Sequence, residues 1–308
     1  MEIRGRVLKE RYLVKGKRSQ SIFTLIYDAT DQDTGTPVLV HLLKKEVTSS
    51  RREDITMYQE KMGVIKEFTH PHIMKVWDFG EEGGMLYYIT EDVGFKSLKG
   101  IIEGGSIYDQ KSIEIVSQVA VGLEYAHRYR ICHLDLNPVN IVVVQTRGIT
   151  QYGQIADIIS PERRMSEDIL IGVKIYNLGI NSMIDYSKIS DSSEFIEGMK
   201  YISPEQGRGE EGDERSDVYS LGVIFYELLG RQTPFDGNSG EEIMEKKMRG
   251  EIKKLREINE QVPPVLEEMV MKMLERDRDK RYQSVKGFLS DLEKLKSGDI
   301  EFKVGETQ

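Results

Sequence analysis

The sequence predicts an α+β protein with a small N-terminal part, an antiparallel β-sheet with one helix, and a larger, mainly helical C-terminal part. Three patterns lead to this prediction. Residues 10–46 contain runs rich in Val, Ile, Leu and Tyr separated by a DQDTG turn, which is typical of strands joined by hairpins. Residues 50–68 and 109–129 carry apolar residues at helical spacing. Residues 218–229 are apolar nearly all round, as expected for a buried central helix.

Composition and charge exclude several classes of protein. The 308 residues are 39% hydrophobic and 31% charged, with a net charge of −9, so they lack the basic surplus that nucleic-acid binding requires. No apolar run approaches the roughly 20 residues that span a bilayer, and the N-terminus has no signal-peptide core. The single cysteine, Cys132, excludes an internal disulfide framework. We therefore expect a cytoplasmic protein without a transmembrane segment or a nucleic-acid partner.

The stretch ICHLDLNPVNIVVV at 131–144 carries the motif on which the functional argument rests. Its His133, Asp135, Leu136 and Asn140 have the spacing of H-R-D-L-x-x-x-N. Here the chain resembles the protein kinases, in which this Asp accepts the proton of the substrate hydroxyl and this Asn binds Mg²⁺. The resemblance implies that Asp135 and Asn140 are remnants of a catalytic loop. Alternatively, Asp135 is a hydrogen-bonded carboxylate that only holds the loop.

Further motifs follow in the order and spacing of the same family. VKIYNLG at 173–179 is similar to V-K-I-x-D-F-G. GMKYISPE at 198–205 resembles the end of the activation segment, with Met199 at the position of its Thr. The resemblance also implies four residues that hold the fold, namely His133, Glu205, Asp217 and Arg281.

The resemblance extends over residues 10–297 and is closest to the bacterial Hanks-type Ser/Thr kinases. It implies a two-lobed protein-kinase fold, with an N-lobe at 1–94 and a C-lobe at 95–298, followed by a polar tail at 299–308. The family has only a short strand-turn-strand where this chain carries an excess at about 145–170. The mixed polarity and clustered Ile of this excess predict an ordered insertion, which could dock a partner or cover the lobe.

The departures from the family affect phosphate and metal contacts. His41 replaces the lysine that holds the α- and β-phosphates, and a shorter, mostly neutral imidazole cannot serve as that charge clamp. Leu39 replaces the small alanine over the adenine ring and should partly fill the cleft. Lys61 replaces the helix glutamate that pairs with the lysine. Asn177 replaces the metal-binding Asp, and a neutral amide is a poorer ligand for Mg²⁺ than a carboxylate.

The loops have changed as well. The phosphate loop needs glycine so that its N–H groups can approach the phosphates. Other residues stand at its glycine positions, namely Ser19, Ser21 (or Ile22) and Thr24. Leu134 and Asn137 replace the Arg and Lys of the catalytic loop. Because the losses are confined to chemistry while the residues that hold the fold remain, the pattern is that of a pseudokinase.

The resemblance also places the residues of a degenerate nucleotide cleft. Its gatekeeper is Thr90 and its hinge runs from Glu91 to Val93. Because hinge backbone groups hold adenine in this family, weak, metal-independent ATP binding remains open. We expect no cofactor, and no metal at the degenerate positions Asn140 and Asn177. The residues of the cleft are Leu39, His41, Lys61, Thr90, Glu91 and Val93.

Three functions are compatible with this sequence. The first is a catalytically inactive kinase-like domain that serves as a scaffold or allosteric regulator of a signalling partner, such as an active kinase. The second is an atypical Ser/Thr kinase with weak phosphotransfer that uses Asp135 and Asn140. The third is a metal-independent nucleotide sensor.

Overall fold

The computed structural model describes residues 3–297 except 22, 47, 50, 95, 105–108, 148–168 and 185–191. The strands of its N-terminal part are β1 (Val7–Leu8), β2 (Tyr12–Gln20), β3 (Thr24–Asp31), β4 (Pro37–Leu43), β5 (Val76–Glu82) and β6 (Met85–Glu91). They form one antiparallel sheet in the order β1-β2-β3-β4-β6-β5. The predicted strands within 10–46 are thus confirmed.

One helix, α1 (Arg52–Lys66), lies in this part of the chain. It buries the predicted stripe formed by Tyr58, Met62 and Ile65. The side chains of β4 alternate between the two faces of the sheet. Val38, Val40 and Leu42 pack on the outer side of the sheet, and the intervening residues face the cleft between the two parts.

The C-terminal part is mainly helical, and α6 lies at its centre. Fourteen residues of α6 are buried, from Ser216 to Gly230, which confirms the predicted central helix. Helix α6 packs against α3, α8 and α9. No helix among the described residues is both long and apolar enough to cross a bilayer. The helices are α2 (Leu98–Glu103), α3 (Asp109–Arg128), α4 (Ser193–Met199), α5 (Pro204–Gly207), α6 (Glu214–Gly230), α7 (Gly240–Arg249), α8 (Pro264–Met273) and α9 (Val285–Ser297).

A two-stranded antiparallel sheet, β7 (Ile141–Arg147) with β8 (Ile169–Ile175), lies at the junction of the two parts. Its register pairs Gln145 with Ile171 and Arg147 with Ile169. The ends of the segment predicted as an insertion at 145–170 therefore continue the strands of this hairpin. The rest of that segment, 148–168, lies outside the described residues.

Candidate functional site

The 131–144 loop is fastened to α6 through its backbone. The N–H groups of His133 and Leu134 donate to the two carboxylate oxygens of Asp217 at 2.8 and 2.7 Å. His133 is buried, and its Nε2 lies 2.9 Å from the carbonyl oxygen of Tyr176. These contacts fasten the loop to α6 and to the end of β8.

Leu134 adopts a left-handed backbone conformation, with φ of 60°, which a non-glycine residue adopts only at a cost in energy. Hydrogen bonds on both sides of the residue stabilise it. Its N–H donates to Asp217, and its carbonyl accepts from Asn181 Nδ2 at 2.7 Å and from Gln206 Nε2 at 2.8 Å. The loop therefore keeps its path although Leu134 replaces the arginine of the motif.

Asp135 is half-buried and bonded to two asparagines of its own loop. Asn140 Nδ2 lies 2.9 Å from one carboxylate oxygen, and Asn137 Nδ2 lies 3.2 Å from the other. Burial raises the pKa of Asp135 to about 7, although these two hydrogen bonds favour the charged form. Asn137 thus contacts the carboxylate as a neutral donor where the motif has a lysine.

A chain of hydrogen bonds continues from Asn140 into the N-terminal sheet. Asn177 Nδ2 donates to Asn140 Oδ1 at 2.8 Å, and the Tyr88 hydroxyl donates to Asn177 Oδ1. Both asparagines are buried, and Asn177 has a φ of 64°, which this residue type tolerates. The side-chain amide oxygen of each asparagine therefore accepts a hydrogen bond from a protein donor.

His41 is buried in the space next to this chain. Its ring stacks on that of Tyr88, with centroids 4.5 Å apart and planes 7° from parallel. Its Nε2 lies 3.0 Å from Thr90 Oγ1, and its Nδ1 has no hydrogen-bond partner among the described residues. Burial lowers the pKa of His41 to about 3, so the ring is neutral at physiological pH.

The cleft itself is filled by side chains. Leu39 and Val142, at its roof and floor, are 1% and 0% exposed. Tyr176 is also buried, and it packs with Met74 and Val142. Behind Thr90, the void that Tyr88 and Tyr176 line together with Met62 and Ile65 of α1 measures about 10 Å³, which is about the space that one water molecule occupies.

Both carboxylates of the hinge, those of Glu91 and Asp92, form ion pairs. Glu91 accepts from Lys174 Nζ of β8 at 2.5 Å. Asp92 accepts two hydrogen bonds from the Arg18 guanidinium of β2, at 2.8 and 2.7 Å, and Arg18 also contacts Asp28 at 2.6 Å. The Arg18–Asp92 pair thus joins β2 to the hinge.

Backbone N–H groups in the turn between β2 and β3 form hydrogen bonds within the turn itself. Ser21 Oγ accepts from the N–H of Phe23 at 3.2 Å and from the N–H of Thr24 at 3.1 Å. The Ser21 N–H donates to the Thr24 carbonyl at 2.8 Å, which closes the turn. Backbone donors that a glycine loop would direct at phosphates are therefore bonded within the turn.

Lys61 lies beside Gly179, with its Cβ 3.6 Å from the point that a Cβ on Gly179 would occupy. It is only partly buried, and it forms no ion pair or hydrogen bond with the described residues. The structure therefore does not bring Lys61 and His41 together as a pair.

Glu205 and Arg281 form a buried bidentate ion pair. The Arg281 guanidinium donates to the two carboxylate oxygens at 2.7 and 2.8 Å, and Ser216 Oγ donates to one of them at 2.7 Å. Burial opposes ionisation, but the contacts with Arg281 and Ser216 lower the pKa of Glu205 to about 2. This pair fixes α5 against the loop before α9.

The end of the activation segment differs from the sequence-based assignment by one residue. In the family this segment reads G-T-x-x-Y-x-[SA]-P-E, and counting back from Glu205 places its Thr at Gly198, one residue before Met199. The threonine hydroxyl is missing in either alignment, because neither Gly198 nor Met199 carries one. A buried lysine, Lys247 of α7, fixes this segment by donating to the carbonyls of Met199 and Ile202 at 2.8 and 2.5 Å. Burial holds the pKa of Lys247 well below its usual value.

One group of metal-ligand side chains occurs among the described residues, formed by His127, Cys132 and Asp217. Its carboxylate already accepts from His127 Nε2 at 2.7 Å and from two backbone N–H groups. Burial raises the pKa of the Cys132 thiol to about 12, which disfavours the thiolate that a zinc site needs. The group is therefore better suited to holding the loop than to binding a metal ion.

Sequence reasoning missed three residues that close the cleft, namely Tyr88, Tyr176 and Arg18. The strand register pairs His41 with Tyr88 directly across β4 and β6. A two-strand alignment of these segments would therefore have predicted the stacked pair. No comparable local signal exists for Arg18 and Asp92, which are 74 residues apart.

Comparison with known proteins gives one consistent result. The family model described as "Protein kinase domain" matches residues 20–290. The chain is 30% identical over 293 residues to a probable serine/threonine-protein kinase of Clostridium perfringens, which covers 95% of this chain and 39% of that protein. It is 25% identical over 268 residues to serine/threonine-protein kinase PrkC of Bacillus subtilis, which covers 87% of this chain and 38% of PrkC.

A third relative is the probable serine/threonine-protein kinase PknB of Lactococcus lactis, which is 26% identical over 291 residues, or 94% of this chain and 42% of that protein. The chain thus spans about two fifths of the length of the curated relatives named here. The family model covers most of the sequence, and the fold has the two lobes and the fastened loop that the motifs predict. The chain therefore belongs to the protein kinase family.

Proposed function

We propose that this chain is a pseudokinase, a kinase-fold domain that has lost phosphotransfer and acts by binding a signalling partner. The observation that carries the proposal is the chain of hydrogen bonds from Tyr88 through Asn177 and Asn140 to Asp135. This chain occupies the positions at which the family holds Mg²⁺ and phosphate, and it satisfies their polar groups with one another.

The charge balance of the cleft supports the proposal. Phosphoryl transfer depends on cations that hold the phosphates and neutralise developing charge. His41 is neutral and has no exposed edge, and Lys174, the cation next to the hinge, is paired with Glu91. The asparagine pair and the Tyr88 hydroxyl do not fit a magnesium–nucleotide complex without being pulled apart. The loss of one such contact costs about 10²–10³ in rate, although such losses do not simply add.

The scaffold that would present a binding surface is intact. The Glu205–Arg281 pair, the Asp217 contacts and the central helix α6 stabilise the C-lobe without any role for a nucleotide. We propose a protein partner, such as an active kinase, and the segment 148–168 as the part that contacts it. Replacing 148–168 with a short Gly-Ser turn between β7 and β8 should abolish capture of the partner and leave thermal unfolding of the lobes unchanged.

Incubation of the purified chain with radiolabelled ATP tests the loss of activity. The reactions contain Mg²⁺ or Mn²⁺ and a generic protein substrate, with the Asp135→Ala variant as the matched control. We expect equal, background labelling in both proteins. Labelling that is present in the parent and disappears in Asp135→Ala would overturn the proposal.

A second candidate is an atypical kinase with weak activity. The observation in its favour is that Asp135 and Asn140 line an open cavity in which a substrate hydroxyl could approach. The pKa of Asp135, raised to about 7 by burial, suits a general base at neutral pH. Such activity should rise as pH increases through 7 and should require a cation that replaces His41.

A further inference from the structure

The open cavity in which a substrate hydroxyl could approach Asp135 adjoins the filled adenine part of the cleft. It measures about 420 Å³, within the range of small-molecule sites. It lies between the β2–β3 turn, α2, the 131–144 loop and α4, and Asp135 and Asn140 form part of its floor. The residues that close the cleft, namely Leu39, His41, Tyr88 and Tyr176, do not line it.

The walls of this cavity are largely aromatic and aliphatic. Phe23 comes from the β2–β3 turn, where it is 8% exposed and held by the Ser21 turn. Phe195 comes from α4, where its N–H donates to Ser192 Oγ at the helix start. Tyr201 and Val139 complete the apolar surface. Aromatic faces of this kind attract cations as well as apolar groups.

The charge of the cavity is negative among its described lining residues. Its basic side chain, Lys99, is neutralised by Glu197 at 2.9 Å and by Glu103 at 3.7 Å. Asp135 and Glu194 line the same cavity and have no cationic partner among the described residues. One carboxylate at the floor and one at the rim are thus left without a compensating charge.

We propose that this cavity binds a small organic cation, an amine on an aromatic or aliphatic body. The body packs between Phe23 and Phe195, and the ammonium group lies near the Asp135 carboxylate, with Glu194 favouring its entry. Anionic ligands such as nucleotides are disfavoured by the same carboxylates. The inference does not rest on the loss of phosphotransfer, because the cavity and its charges are present in either case.

Titration calorimetry of the full chain with three matched probes tests the proposal. The probes are phenethylamine, the neutral 2-phenylethanol and the anionic phenylacetate. We expect the amine to bind about tenfold more tightly than the alcohol, and the acid not to bind.

Two variants locate the site. Phe195→Ala should weaken amine binding at least about fivefold, since an aromatic contact is lost. Glu194→Gln should weaken it less, and Glu241→Gln, an exposed carboxylate on α7, should leave it unchanged. Circular dichroism confirms that each variant is folded. Equal affinity for all three probes, or amine binding that Phe195→Ala leaves unchanged, would overturn the proposal. So would binding of basic peptides alone.

Discussion

The Tyr88 hydroxyl donates a hydrogen bond to Oδ1 of Asn177, and this contact joins the last strand before the hinge to the turn after β8. Tyr88 also stacks on His41, so one phenol ring contacts two of the positions at which the family holds phosphate and metal. Tyr88, His41 and Asn177 form a buried unit, in which the tyrosine stacks on the histidine and donates a hydrogen bond to the asparagine.

The Tyr88→Phe variant should lower the free energy of unfolding by about 1–3 kcal/mol. The ring still stacks on His41, but Asn177 Oδ1 loses its donor in a site that water does not reach. Urea denaturation measures the change. The control is Tyr129→Phe, because Tyr129 is 51% exposed and water can replace its contacts. Equal stability of parent and Tyr88→Phe would show that the hydroxyl contributes nothing.

Removal of one partner from the buried ion pair should be strongly destabilising. Arg281→Met leaves the Glu205 carboxylate unpaired at 1% exposure, which should cost about 3–5 kcal/mol. The double variant Arg281→Met/Glu205→Met should recover part of this loss, since no buried charge remains. The exposed pair of Arg249 with Glu245 provides the comparison, and Arg249→Met should cost at most about 1 kcal/mol. A small effect of Arg281→Met in denaturant unfolding would contradict this account.

The buried contact between His127 and Asp217 predicts a dependence of stability on pH. Burial alone would lower the pKa of His127, but the hydrogen bond with Asp217 outweighs it and the pKa is raised. A raised folded-state pKa favours folding while the group is protonated, so this stabilisation is complete below pH 6.5 and is lost as pH rises through the folded pKa. Urea unfolding from pH 6 to pH 9 measures it. In His127→Gln this part of the pH dependence should disappear; a profile identical to that of the parent would exclude the ion pair as its source.

Asp135 should titrate near pH 7, because burial raises its pKa from the ordinary value of 3.8. Carbon-13 NMR of the carboxyl group measures this directly. A raised pKa means that the charged form opposes folding, so the stability of the parent relative to Asp135→Asn should fall as pH rises from 4 through 7. Titration below pH 5 would mean that the Asn137 and Asn140 hydrogen bonds dominate over burial.

Sequence reasoning predicted the parts of the site that depend on local pattern. Motif matches placed Leu39 and His41 in the cleft, and they singled out Glu205 and Arg281 as residues that hold the fold. What it missed depends on contacts between distant segments. The Arg18–Asp92 pair joins residues 74 positions apart. The ends of the insertion were assigned by comparison of lengths, whereas strand pairing continues the hairpin to Arg147.

The closed cleft is the central claim, and a thermal-shift measurement with ATP tests it most directly. A ligand that binds only the folded state raises the unfolding temperature, and the shift grows with the logarithm of the ratio of its concentration to its Kd. Millimolar ATP, with or without Mg²⁺, should leave the unfolding temperature of the parent unchanged. The double variant Arg18→Leu/Leu39→Ala, which removes the hinge ion pair and opens space for adenine, should gain a shift. A clear stabilisation of the parent that Leu39→Ala merely strengthens would contradict the account, because the cleft would then never have been closed.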